Sequence, residues 1–169
     1  MSLFQKINEA VMYRQPMHYP SALEIKKDFL DFNKLFSEVI NNDFNSSCKH
    51  LPYKINNDDI FSQIFQINDV QKLPMFQELH DFIVKGLPDY IVDRLDLFTS
   101  FKKTMGVSHV DNENSLILSI YKNTIYRFQD NNVTITLKPG DILLSPAGVK
   151  HFAMSYEERI ILSWGIHKR

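Results

Sequence analysis

The chain has 169 residues, 44% of them hydrophobic and 23% charged, with a formal net charge of −1. That length suffices for one domain with a proper core, and a near-neutral balance without a basic block excludes phosphate neutralisation, hence nucleic-acid binding, as the main activity. A single cysteine, Cys48, excludes an intramolecular disulfide and a cysteine-built zinc cluster, and no run of about eighteen apolar residues exists to span a membrane.

Residues 1–20 are weakly patterned, with Pro16 and Pro20 interrupting any regular element, and Tyr13, Met17, His18 and Tyr19 read as an arm packed over the remainder. From Ser21, a candidate helix cap, Ile25, Phe29, Phe32, Phe36 and Val39 recur at three- and four-residue intervals and predict an amphipathic helix to Ile40 or Asn42. An aromatic stripe of this kind is core, packed on the outside of whatever the second half builds. Residues 41–57 are rich in Asn, Ser and Asp and read as loop, with a short extended piece at His50–Ile55. Asp58 and Asp59 open a short predicted helix through Gln66. Pro74 begins another that runs to Lys85 and stops at Gly86, with Pro88 beyond. His80 on that helix faces Val84 at i+4 and has no partner for a metal.

From Tyr90 the helical period disappears. Leu95–Thr104, Leu116–Tyr121, Thr124–Gln129, Val133–Leu137, Ile142–Ser145, His151–Ser155 and Arg159–Ile166 are β-prone runs separated by polar or Gly/Pro turns, with a hairpin turn at Asp130-Asn131-Asn132. Strands without intervening helices fit a sandwich or barrel and not a parallel α/β sheet. The expectation is a mainly β protein of the α+β class, one domain over residues 1–169, with residues 1–89 a mostly helical cover and 90–169 the barrel.

The stretch Gly140 to Ser155 joins two short strands by a rigid corner, since Pro146 fixes φ and Gly148 permits φ > 0. His151 therefore starts a strand just past a turn. Upstream, His109 and Asp111 are two apart on an extended segment, so their side chains project to one face with Cα atoms roughly 6.5–7 Å apart. Taken singly, each has an ordinary structural role: a satisfied histidine, a turn aspartate before Asn112-Glu113-Asn114.

The order Gly140, Pro146, Gly148, His151 resembles the second conserved motif of the cupins, with Ser155 where those proteins usually have Asn. The first motif of that family usually reads His-x-His followed by Glu; here Asp111 replaces the second histidine, and Ser115 or Leu116 stands where the glutamate belongs. Two histidines and one carboxylate resemble the cupin-like 2-oxoglutarate oxygenases, including the Jumonji C type. The resemblance implies a double-stranded β-helix (jelly roll) covered by helices, with Fe(II) held by His109, Asp111 and His151 as a facial triad, and 2-oxoglutarate as cosubstrate. It also implies a cation for the distal carboxylate of 2-oxoglutarate. In many such enzymes this is an Arg on the final strand, where Arg159 stands; in the Jumonji C group it is a Lys at the position of Thr124, with Lys122 the nearby substitute. Strand parity assigns Ser119, Tyr121 and Ser145 to the substrate pocket.

The function implied is hydroxylation of a C–H bond in a small-molecule or peptide substrate, by a cytoplasmic protein that uses neither nucleic acid nor membrane and can form a homodimer. The alternative is a metal-binding cupin without oxygenase chemistry, a small-molecule binder, isomerase or hydrolase, with zinc, nickel or manganese suited to the same ligands. A barrel without metal, serving as an interaction module, is the third reading.

Overall fold

The computed structural model describes residues 2–26, 29–31, 34, 35, 37, 46–48 and 64–169. Among them are eleven strands in two antiparallel sheets: β1 (Met17–Tyr19), β2 (Ser46–Cys48), β3 (Phe65–Ile67), β4 (Tyr90–Ser100), β5 (Thr104–Met105), β6 (Asn114–Tyr121), β7 (Thr124–Phe128), β8 (Val133–Leu137), β9 (Ile142–Ser145), β10 (His151–Ser155) and β11 (Arg159–Lys168). The large sheet runs β1-β9-β6-β11-β4-β3-β2 and the small one β5-β10-β7-β8. Two helices, α1 (Leu3–Tyr13) and α2 (Pro74–Gly86), accompany them.

This is the expected jelly roll. Alternation within single strands makes both of its cores. On β6, β9 and β11 the even-numbered Leu116, Leu118, Ile142, Leu144, Ile160, Leu162 and Trp164 face outward and bury Ile7, Phe76 and Ile83 of the two helices. The odd-numbered Ile117, Leu143 and Ile161 face inward and meet Tyr126, Phe128 and Leu137 of the small sheet. Strands covered on both faces are buried throughout, as β6 is from Ser115 to Ile120.

The strand boundaries from Leu116 on match the sequence reading closely, and the Val133–Leu137, Ile142–Ser145 and His151–Ser155 strands coincide with it. The N-terminal half differs. Ser2 and Gln5 form a reciprocal capping box that starts α1, in a stretch the prolines had suggested was irregular. The arm at Met17–Tyr19 is a strand, paired with β9 from Met17↔Leu144 to Tyr19↔Ile142.

The helix expected from Ser21 does not begin there. Ser21 has φ 48°, and its N–H is taken by Asp141 Oδ1 at 2.8 Å, so a contact 120 residues away overrides the local cap. Leu23 N–H bonds Gly140 O, and Gly140 has φ 91° with Leu23 O standing where a Cβ would clash. Residues 34, 35 and 37 are helical, Leu35 is fully buried, and of the expected stripe Ile25 and Phe29 pack with the outer cluster, Phe29 against Phe76. Phe32, Phe36, Val39 and the piece at His50–Ile55 lie outside the described residues. Gln66 belongs to β3 and not to a helix, and Cys48 ends β2 rather than lying in a loop. His80 accepts the indole N–H of Trp164 at 3.2 Å.

No helix among the described residues is long and apolar enough to cross a membrane.

Candidate active site

The Pro146–Gly148 corner turns β9 into β10 as the sequence predicts, with Gly148 at φ 79°. Gly148 N–H bonds Asp111 O, and Ala147 N–H bonds Asn114 Oδ1, so the corner is stapled to the segment that carries Asp111. His109 and His151 face each other across an isolated antiparallel bridge, exchanging both backbone hydrogen bonds at 2.9 Å. Register alone therefore brings His109, Asp111 and His151 together. Their ligand atoms all lie within 4.8 Å of one another.

The rings are held in one tautomer. His109 Nδ1 is 2.9 Å from Val107 O and His151 Nδ1 is 2.9 Å from Val149 O. A carbonyl oxygen can only accept, so each Nδ1 carries the proton and each Nε2 keeps its lone pair. Both Nε2 atoms point at Asp111, at 3.4 Å from Oδ1 and 3.5 Å from Oδ2. Backbone-oriented imidazoles of this kind are the usual second support of a metal-binding histidine.

The electrostatics favour the ligand forms. Burial pushes the His151 imidazole below its ordinary value, with the carbonyl of Val149 and the charge of Asp111 opposing, so it is neutral at pH 7. Burial alone would raise the Asp111 carboxyl, but His109 and His151, which in their protonated forms donate to it and attract it, together with the Ser115 hydroxyl outweigh burial and hold it low. A neutral imidazole and an ionised carboxylate are what a divalent cation needs.

These residues open into a cavity of about 1000 Å³ between the two sheets, also lined by Phe98, Ile117, Tyr126, Ala153, Arg159 and Ile161. Arg159, first residue of β11, is only 2% exposed, and its Nη1 has no hydrogen-bond partner among the described residues. Burial lowers its affinity for the proton, yet an arginine stays charged in a protein. Tyr126 lies beside it, its phenol pushed up to about 12 by burial and so a neutral donor.

Of the remaining residues singled out in the sequence, Lys122, Thr124, Ser119, Tyr121 and Ser145, none lines the cavity. Lys122 sits in the β6–β7 turn at φ 57°, ion-paired with Glu157 at 3.4 Å and lying over the Tyr121 ring, away from the lining. Thr124 is inward and fully buried, with Oγ1 unpartnered among the described residues, but it lies outside the lining too. Ser119 donates to Lys122 O at the turn, Tyr121 packs with the outer cluster, and Ser145 is buried; Ser115 and Ile117 line the cavity in their place. Ser119 shares the parity of Ser115 and Ile117 on β6 but lies further along the strand, beyond the lining. Tyr126 was missed, although its place between Thr124 and Phe128 on an alternating strand was the available signal.

Neither a protein-family model nor a curated protein sequence matches the chain. Solved structures do. The YcfD ribosomal oxygenase of Escherichia coli superposes with a TM-score of 0.76 at 17% identity, over 95% of this chain and 51% of that one. The same enzyme in complex with cobalt and 2-oxoglutarate gives 0.75 at 18% identity, over 92% and 48%. SnoN, a non-heme alpha-ketoglutarate-dependent epimerase of nogalamycin biosynthesis, gives 0.67 at 11% identity, over 98% and 82%. At these identities the likeness establishes the fold alone, a jelly roll shared with these enzymes. The chain spans about half the length of the ribosomal oxygenase.

Proposed function

We propose that the chain is an Fe(II)- and 2-oxoglutarate-dependent oxygenase that acts on a C–H bond of a small-molecule or peptide substrate. One observation carries this reading: a fully buried guanidinium with an unpartnered nitrogen lines the same cavity as a converging His–Asp–His set. A buried, uncompensated charge costs several kcal/mol, so its retention calls for an anionic ligand. A fork of N–H donors fits a carboxylate.

His109, Asp111 and His151 would hold the metal through Nε2, one carboxylate oxygen and Nε2, leaving the other side of the ion open. When bound, Fe(II) with 2-oxoglutarate supplies O2 activation coupled to oxidative decarboxylation of the cosubstrate. The chain's own tasks are binding and exclusion. Arg159 would pair with the distal carboxylate of 2-oxoglutarate, with the Tyr126 hydroxyl as a second donor that stays protonated at neutral pH. Ile117, Ile161 and Phe98 keep water from the inner part of the cavity, which strengthens every charge interaction there. The cavity volume admits a dicarboxylate together with part of a substrate.

The test is succinate release by the Fe(II)-loaded chain given 2-oxoglutarate, O2 and ascorbate. The reading predicts uncoupled turnover in the wild type and none in Asp111→Ala. Metal binding with no response to 2-oxoglutarate would favour instead a metal-binding cupin of other chemistry.

A further inference from the structure

At the outer end of the same cavity a second group of potential ligands comes together: Asp93, Glu113 and His167, with ligand atoms within 4.8 Å of one another. His167 Nε2 is 2.7 Å from Asp93 Oδ2 and 2.8 Å from Glu113 Oε2. Three neighbouring strand positions supply them, β4, the residue before β6, and β11.

Two irregularities build this group. The β4–β11 register passes from Trp164↔Leu95 to Ile166↔Val92, so Gly165 faces two residues, Asp93 and Arg94, across a β-bulge. In unbroken alternation Asp93 would share the outward face with Leu95 and Leu97; the extra residue swings it onto the cavity side, where it joins the lining. Opposite the bulge, a Cβ on Gly165 would stand 2.7 Å from the Glu113 carboxylate, so only glycine leaves that carboxylate its place. The two carboxylates are then close enough to hydrogen-bond each other. Like charges so close repel unless a cation or a shared donor lies between them, and His167 Nε2, which stands between these two, has at most one proton for both. Among the described residues neither has a Lys or Arg ion partner, and neighbouring Arg94 bonds Asp96 instead.

From this convergence we infer that Asp93, Glu113 and His167 form a second divalent-metal site, of the zinc class, at the cavity mouth. One imidazole nitrogen and two carboxylate oxygens are a zinc-type set, with the remaining position open toward the cavity. Around a tetrahedral zinc the ligand atoms stand roughly 3.3 Å apart, so the side chains need to open by about half an ångström. Half-exposed side chains can do this by small rotations. The site is independent of the metal proposed at His109, Asp111 and His151.

The experiment is equilibrium binding of Zn2+ to the metal-stripped full chain, with bound zinc counted by elemental analysis in the wild type, in Asp93→Asn/Glu113→Gln and in Asp111→Ala. The expected result is two equivalents in the wild type and one in each variant, with the double variant melting within a few degrees of the wild type. If the double variant holds as much zinc as the wild type, the cluster is only an ion pair and the inference is overturned. A wild type that holds a single equivalent divides the two sites: loss only in the double variant supports this one and defeats the inner triad, and loss only in Asp111→Ala does the reverse. In Asp111→Ala, the ring signals of His167 should shift on zinc addition; unmoved signals contradict the assignment.

Discussion

The two faces of the large sheet are made by the same strands and serve different ends. Outward from β6, β9 and β11 the fully buried side chains are aliphatic or the indole of Trp164, with Tyr121 at the margin, and the one indole N–H is satisfied by His80. Inward, the same strands carry Ser115, Ser145, Arg159, Ser163 and Gly165 between apolar neighbours, with the Arg159 guanidinium left short of partners among the described residues. The difference teaches that stability is concentrated on one face, so the other can hold unsatisfied polar groups for ligands. Changes to the inner face should then cost activity more than stability, and changes to the outer face the reverse.

The largest effect belongs to the inner face. Asp111→Ala should lower metal-dependent 2-oxoglutarate turnover by at least about a thousandfold, the scale of losing one electrostatic anchor of a reacting centre. Its thermal melt should stay close to that of the wild type; a variant that fails to fold would break the division of labour. The counterpart is Trp164→Ala on the outer face, expected to destabilise by about 3–5 kcal/mol in denaturant titration through loss of a fully buried side chain and an orphaned His80. The fraction still folded should bind metal normally.

Arg159→Met sharpens the comparison because its two effects have opposite signs. Affinity for 2-oxoglutarate should fall by about 2–3 kcal/mol, the value of a charged hydrogen-bonded pair. Stability should be unchanged or rise by about 1 kcal/mol, since an uncompensated buried charge is removed. A large loss of stability would mean that the guanidinium is structural.

Asp141 anchors the N-terminal arm to the barrel, and it titrates in a definite direction. Burial would raise its carboxyl, but N–H donors from Lys138 and Ser21 and the His18 ring outweigh this and hold it below its ordinary value of 3.8. Because the folded form binds the proton more weakly than the unfolded chain, this stabilisation is present above about pH 4 and fades as the pH falls through the lowered value. Asp141→Asn should cost about 2 kcal/mol at pH 7 and flatten the acid limb of the stability profile. The smallest effect is expected from Lys122→Ala, with neither the denaturation midpoint nor the 2-oxoglutarate affinity measurably altered, since its ion pair with Glu157 is at the surface.

How much of this could be read in the sequence follows the range of the forces involved. The strands from Leu116 to Ile166 and the corner at Pro146–Gly148 were legible because alternation and turn residues are local signals. The His109–Asp111–His151 convergence was legible through spacing and resemblance together. Illegible features depend on contacts far along the chain. Nothing in Met17-His18-Tyr19 names β9 as its partner, and nothing in Ser21 tells that Asp141 will take its N–H and hold it at positive φ. The capping box of α1 was a local signal, Ser2 with Gln5, obscured by the prolines further on. Asp93 is the plainest case: alternation sends it outward, and only a bulge, itself invisible without Gly165 opposite, turns it to the cavity.

The most direct measurement is an anaerobic titration of the Fe(II)-loaded chain with 2-oxoglutarate, followed by calorimetry, in the wild type and in Arg159→Met. The account predicts one equivalent of binding that requires the metal and is weakened by about thirty- to a hundred-and-fiftyfold in the variant, the equivalent of about 2–3 kcal/mol. Binding of equal strength in both proteins, or no binding to either, would contradict it.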